Sequence, residues 1–362
     1  MPIAPSLLRW YDRTKRDLPW RRDPTPYKTL VSELMLQQTT VAAVIPFFER
    51  FIARFPTLAA LAAASEDEVT ALWSGLGYYA RARNLRRAAV AAVGEHGGEL
   101  PRTEVALGEL PGLGPYTAAA VAAIAFGART FALDGNGARV MARLGDLSDS
   151  IDLPATRLRL RAAGTREVPR GRPGDFTQAV MELGATVCTP RNPRCDDCPV
   201  RTSCAAHAAG TVGEIPRRTK RVARPVVRVA CACVTDGARV LLVRRGRGLL
   251  AGTWSLPEAV VASASGVDGA SDAARDVVRR VADEVGVRAI AVEHHGAVRH
   301  VFTHRDVTAE VFRIEVPRAG RPRADQRWVA PAGMKELGVS SFTRKTVALG
   351  LGAKRDNVAR RS

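Results

Sequence analysis

The chain has 362 residues, 46% of them hydrophobic, enough for two or three packed cores and too many for a disordered chain. Lysine and arginine number 54 against 36 acidic residues, and the resulting +18 points to a polyanionic partner, with nucleic acid the first candidate; some of the arginine is scattered and reflects composition alone. No apolar run approaches the ~20 residues of a membrane helix, and MPIAPSLLRWYDRTKRDLPW lacks a signal peptide's apolar core, so a soluble, cytoplasmic protein is expected.

From Ser6 to about Ala209 the pattern is helical. TLVSELMLQQTTVAAVIPFFERF and DEVTALWSGLGYYARARNLRRAAVAAV carry apolar residues at three-to-four spacing, broken by Pro and Gly turns. LPGLGPYTAAAV (Leu110–Val121) places Gly112 and Gly114 just before a helical run. A dinucleotide-binding loop would need a third glycine, but position 117 is Thr, and the preceding TEVALGELP reads as helix rather than strand. A hairpin between two helices fits better, with both glycines letting backbone N–H groups approach a phosphate.

Cys188, Cys195, Cys198 and Cys204 follow in a 6-2-5 spacing. Clustered thiols in such a chain suit a metal rather than disulfides. A single C-x2-C knuckle favours a four-iron cluster over zinc, though the spacing differs from the ferredoxin run. PRRTKRVARP then reads as a basic linker.

Beyond it the texture changes. PVVRVACACVTDGARVLLVRR predicts a β-hairpin turning at Asp236-Gly237, with Cys231 and Cys233 as core residues on one strand face. Asp272 to Val285 predicts an amphipathic helix, AVRHVFTHRDVTAEVFRIEV a second strand pair, and QRWVA with a final helix closes the fold. The expected division is a helical domain over 1–209, with its hairpin at 110–117 and cysteine loop at 188–204. A linker over 210–225, an α+β domain over 226–352 and a basic, disordered tail over 353–362 complete it.

Together, LPGLGPYT, LDGN (Leu133–Asn136) and the cysteine spacing resemble the helix-hairpin-helix DNA glycosylases of the endonuclease III superfamily. LPWR (Leu18–Arg21), SELMLQQTT (Ser32–Thr40), WSGLGYYARARNL (Trp73–Leu85) and FTQAVMELGATVCTP (Phe176–Pro190) narrow the resemblance to the MutY-type adenine DNA glycosylases. That resemblance implies a helical catalytic half with a [4Fe-4S] cluster on the four cysteines and a MutT-like (Nudix-like) C-terminal half. It also implies a monofunctional, monomeric enzyme of the nucleoid that removes adenine opposite 8-oxoguanine or guanine in duplex DNA.

Breaking an N-glycosidic bond to adenine needs an acid for the leaving base and a negative charge for the sugar cation. Glu33, between Leu30 and Leu36 in an apolar helical run, is the candidate acid, because burial raises a carboxyl pKa. Asp134, ahead of the helical ARVMARL, is both a candidate N-cap and the candidate ionised carboxylate, which a helix N-terminus favours. By resemblance, Asn136 holds the sugar and Asp134. Trp20, Arg21 and Gln178 form the adenine pocket, and Gln38, Thr39 and Tyr78 enter or contact the DNA stack. Gly137 stands where the family has a bulkier residue, and a looser loop around Asp134 is expected. Tyr116 occupies the position of the Schiff-base lysine of bifunctional relatives and cannot form an imine.

In the C-terminal half, Gly252 and Glu258 open a Nudix box whose continuation is decayed, with Arg280 where a metal-binding Glu belongs. Metal-dependent pyrophosphate hydrolysis is therefore not expected. Phe302-Thr303-His304 resembles the family's Phe-Ser-His loop that contacts 8-oxoguanine, with an added methyl at Thr303; three residues between strands are otherwise an ordinary turn. The competing readings are a bifunctional glycosylase/lyase, a non-catalytic iron–sulfur DNA-binding protein and a Nudix hydrolase fused to a DNA-binding domain.

Overall fold

The computed structural model describes residues 2–219, 223–261, 269–287 and 291–352. The chain forms two compact units, one of Met1–Ala63 and Asn84–Arg221, the other of Ala64–Arg83 and Val222–Ser362. These compact units differ from the expected division in two places. Residues 64–83, expected in the helical domain, pack with the α+β unit: Trp254 Nε1 donates to Asp67 at 3.0 Å and Tyr79 Oη to the Val339 carbonyl at 3.0 Å. The expected linker is fixed at its start, because Ile215 is buried in the first unit's core and its carbonyl accepts from Arg143 Nε at 2.7 Å. One apolar residue anchors a stretch whose charge alone suggested a tether. The tail at 353–362 lies outside the described residues.

The first unit is helical. Thr25 caps the helix Pro26–Leu36, accepting from the Lys28 N–H at 3.1 Å, with Pro26 in the first turn. The expected continuous segment from Thr29 to Phe51 is in fact two helices. Gln37 leaves helical geometry, Gln38 turns left-handed at φ 58°, and a new helix runs Val41–Arg54. The turn exposes polar side chains at the end of the first helix.

The expected hairpin joins Glu104–Glu109 to Pro115–Phe126. Its two glycines serve different ends. Gly112 has φ +80°, and a Cβ there would collide with the Asn84 side chain. Gly114 has open space around it and is the N-cap of the following helix. That helix is rich in alanine and buried from Thr117 to Ala123. Small side chains let neighbours approach closely: at Gly174 in the helix Pro173–Thr186, a Cβ would sit 2.7 Å from the Ala123 carbonyl. Leu7, Tyr11, Phe131, Val140, Phe176 and Leu183 form the core beneath the helix Gly135–Leu144.

The second unit holds a seven-stranded sheet. Its strands are β1 (Val226–Thr235), β2 (Val240–Arg244), β3 (Trp254–Ser255), β4 (Glu258–Val260), β5 (Glu293–Val301), β6 (Asp306–Glu315) and β7 (Gln326–Val329). The order is β3-β2-β1-β6-β5, with β4 also on β1 and β7 on β2. The hairpin at Asp236-Gly237 forms as expected, with Gly237 at φ +89°. What the sequence pattern does not reveal is that β1 pairs in parallel with β6 along its whole length. Cys231 and Cys233 are buried in the core on one sheet face, and the helix Gly269–Glu284 covers the other through Val277, Val278 and Val281.

Gly112→Ala should destabilise the first unit by more than about 1 kcal/mol, since both its φ and Asn84 oppose a Cβ. Thermal unfolding checks this, with Gly114→Ala, which meets no neighbour, as the milder comparison.

Candidate active site

A cavity of about 940 Å³ opens in the first unit. Trp20, Arg21, Glu33, Gln38, Thr39, Gly112, Gly114, Tyr116, Asp134, Asn136 and Gln178 all line it. Residues from five separate stretches of sequence thus converge, while Tyr78, Phe302, Thr303 and His304 belong to the second unit.

Glu33 projects from the helix Pro26–Leu36 and is only 7% exposed. Tyr116 Oη donates to its Oε2 at 2.6 Å. Burial pushes the Glu33 carboxyl up to about 7 and the nearby Asp134 charge adds to the rise, while the tyrosine hydrogen bond and Arg21 oppose it. The same burial, with Glu33 and Asp134 beside it, keeps the Tyr116 phenol neutral by raising its pKa well above 10.

Asp134 caps the helix Gly135–Leu144, its Oδ1 accepting from the Gly137 N–H at 2.5 Å. Burial raises its carboxyl too; hydrogen bonds from the Gly137 and Asn136 backbones and the Asn136 side chain hold it down. The expected pull of the helix end towards the charged form is present, but the loss of hydration outweighs it and the carboxyl ends above its ordinary value. The two carboxyls still differ in kind. Asp134 has backbone donors committed to its charged form, and Glu33 has a phenol. Hydrogen bonds from backbone N–H groups favour the charged form at Asp134, whereas at Glu33 burial is opposed by one phenol and by Arg21.

Gly137 does not loosen this loop as expected. Its N–H closes the cap, it is buried, and a Cβ would stand 3.2 Å from Asp134 Oδ1 and 3.5 Å from the Phe131 ring.

Arg21 donates from Nε to Gln178 Oε1 at 3.1 Å and from Nη2 to Glu182 Oε2 at 3.0 Å. Arg16 Nε reaches Glu182 Oε1 at 2.5 Å. Burial works against the Glu182 charge, but the two arginines hold its carboxyl below its ordinary range. Trp20 packs edge-on against Phe48, ring centroids 5.4 Å apart. Sequence reasoning missed Glu182, although it lies four residues after Gln178 and so on the same helix face.

It also missed Arg139 and Arg143, 5% and 2% exposed on the helix that Asp134 caps. Arg139 Nη2 donates to Asn136 Oδ1 and to the Gly184 carbonyl, both at 2.7 Å, and Nε donates to the Cys188 carbonyl at 2.7 Å. Arg143 Nη1 lies 3.3 Å from Cys188 Sγ and 2.8 Å from the Thr189 carbonyl. In the sequence they are legible only as two arginines four residues apart, and so on one face, of the ARVMARL helix.

Cys188, Cys195, Cys198 and Cys204 line one small cavity with Val187, Pro193 and Val212. Among the described residues no three His, Cys, Asp or Glu side chains form a single-ion group. An all-thiol donor set around a cavity, with a buried guanidinium donating to one sulfur, fits an iron–sulfur group.

In the second unit, Phe302 to Arg305 form the β5–β6 turn, the Phe302 N–H donating to the Arg305 carbonyl at 2.9 Å. Tyr78, left-handed at φ 50°, hydrogen-bonds through its hydroxyl to Thr303 Oγ1. Two side chains from distant motifs thus meet.

Residues 31–162 match the HhH-GPD superfamily of base excision DNA repair proteins. Residues 188–204 match the iron–sulfur binding domain of endonuclease III and residues 229–349 the NUDIX domain. The human adenine DNA glycosylase is 36% identical over 94% of this chain and 72% of its own length. The chain belongs to the adenine DNA glycosylase family. The Mycolicibacterium smegmatis adenine DNA glycosylase is 43% identical over 62% of this chain and 76% of its own. The helical unit resembles a thermostable thymine-DNA glycosylase at TM-score 0.52 and 29% identity, covering 57% of this chain and 95% of that one. This glycosylase therefore joins a helix-hairpin-helix unit with an iron–sulfur loop to a Nudix-like α+β unit.

The raised Glu33 pKa carries a stability consequence. A carboxyl raised from 4.5 to about 7 costs nothing below pH 4.5 and progressively destabilises the fold as pH rises towards 7, by a few kcal/mol in all. Glu33→Gln keeps an acceptor for Tyr116 without the charge. It should match the wild type in thermal stability at pH 5 and exceed it at pH 8.

Proposed function

We propose that this adenine DNA glycosylase excises adenine paired with 8-oxoguanine, and with guanine, from duplex DNA, hydrolysing the glycosidic bond and leaving the strand intact. The observation that carries the proposal is the buried Glu33 carboxyl, raised to about 7 and held by Tyr116 beside the capped Asp134.

The adenine nucleotide is turned out of the stack into the cavity. Arg21 and Gln178, fixed by Glu182, present donors and an acceptor to its edge. Glu33 gives its proton to the N7 side of the base, so that adenine leaves neutral as the C1′–N9 bond breaks. The electron-poor sugar forms next to Asp134, whose charge stabilises it, and Asn136 holds that carboxylate in place. Water then adds to C1′, and its proton returns to the carboxylate pair. Gln38 and Thr39 line the cavity, where the chain turns left-handed at Gln38. The hairpin at 110–117 offers backbone N–H groups to a DNA phosphate and sets register. The protein acts as a monomer.

Three further readings complete the proposal. The group on Cys188, Cys195, Cys198 and Cys204 is a [4Fe-4S] cluster, which when bound fixes the 188–204 loop. Tyr116, at the lyase lysine's place, is tied to Glu33, and Lys15, which also lines the cavity, lies over the Tyr11 ring; no Schiff base follows. The Phe302-Thr303-His304 turn with Tyr78 reads 8-oxoguanine, the Thr303 hydroxyl supplying the hydrogen bond.

Duplexes carrying 8-oxoguanine:A, G:A and T:A pairs test this when free adenine and strand breaks are followed separately. Adenine should be released from the first two without strand cleavage, and Glu33→Gln should bind duplex but lose release by at least ~100-fold. No release from the 8-oxoguanine duplex, or strand cleavage keeping pace with release, would overturn the reading. Thr303→Ala should narrow the preference for 8-oxoguanine:A over G:A, measured as the ratio of single-turnover rates.

Adenine release should also fall as pH rises through about 7, because the base-protonating form of Glu33 is lost there. Single-turnover rates between pH 5 and 9 check this.

A further inference from the structure

We propose that the second unit carries a metal-independent binding site for a nucleoside monophosphate, separate from the adenine cavity and not resting on adenine release. A cavity of about 420 Å³ lies among β1, β3 and the 302–305 turn, within the size range of small-molecule sites. Val229, Leu256 and Phe342 give it apolar walls, and Phe302 adds an aromatic face.

The decisive residue is Ser255. It is 2% exposed, it lines this cavity, and its Oγ has no hydrogen-bond partner. A buried hydroxyl without a partner costs about 1–3 kcal/mol, a cost that a polar ligand atom in the cavity would remove.

Arg247 and Arg305 also line the cavity, and neither has a carboxylate partner among the described residues. Arg245 is different. Its guanidinium is paired with Glu258 and its Nε donates to the Leu249 carbonyl at 3.0 Å. That ion pair occupies the carboxylate that opens the decayed Nudix box, so Glu258 is not free to hold a divalent cation. The cavity thus offers apolar and aromatic walls for a base, one hydroxyl for a ring heteroatom and two unpaired cations for a phosphate. Phe302 belongs both to this cavity and to the turn, so an occupant would also brace the turn.

The test uses the full chain in EDTA, titrated by calorimetry and thermal shift with dGMP, dAMP, deoxyguanosine, inorganic phosphate and a short single strand. Saturable binding of a monophosphate is expected, tighter than that of nucleoside or phosphate alone, with a rise in Tm. Replacing both arginines (Arg247→Ala with Arg305→Ala) should weaken it by about tenfold or more. Ser255→Ala should weaken it while leaving the unliganded Tm unchanged or higher, because the hydroxyl has no partner in the protein. The proposal fails if no mononucleotide saturates in the low millimolar range, if binding needs Mg²⁺, or if only the oligonucleotide binds. It fails equally if the double arginine variant binds normally, or if Ser255→Ala lowers the unliganded Tm by several degrees.

Discussion

The candidate site is built around a carboxyl group kept out of water. Glu33 sits in the middle of a helix whose neighbours are nearly all buried, and its hydrogen-bond donor is a phenol that is itself too buried to ionise. In water such a carboxyl would be ionised at neutral pH and useless as an acid; removed from water it keeps its proton to about pH 7. Asp134 stands close enough to raise it further, yet is bound by backbone N–H groups that favour its own charge. Two neighbouring carboxyls thereby differ in the character of their hydrogen bonds.

The buried charges around this pair form the framework that positions it. Glu182 holds Arg16 and Arg21, and Arg21 in turn holds Gln178. Arg139 ties Asn136 to the carbonyls of Gly184 and Cys188, while Arg143 ties the cysteine loop to the segment around Ile215. Arg139 and Arg143 leave water with several of their donors satisfied, the condition for burying a guanidinium without large cost. The cysteine loop and the loop carrying Asp134 are thus braced by one helix, Gly135–Leu144, through side chains one turn apart.

Much of this was legible in the sequence because motif residues stayed close to their chemistry. SELMLQQTT, LPGLGPYT and LDGN each contributed a wall of one cavity, and the cap at Asp134 could be read directly from its position before a helix. What escaped was long-range. Nothing in the periodicity of residues 64–83 says that Asp67 will meet Trp254, or Tyr78 will meet Thr303. The parallel pairing of β1 with β6 joins segments some eighty residues apart and leaves no local pattern. The break at Gln38 falls in the polar QQTT stretch between two apolar runs, where left-handed geometry at one residue leaves no mark on the hydrophobic spacing. Arg139, Arg143 and Glu182 read as ordinary surface charges until the fold buries them. Gly137 shows the reverse error: a departure from the family pattern suggested looseness, where the backbone instead closes onto Asp134.

Glu33 should hold its proton up to about pH 7. Infrared difference spectra between wild type and Glu33→Gln, recorded through a pH series, observe that proton directly. A protonated carboxyl band should persist at pH 6 and disappear with a midpoint near 7. A midpoint near the ordinary glutamate value would contradict it.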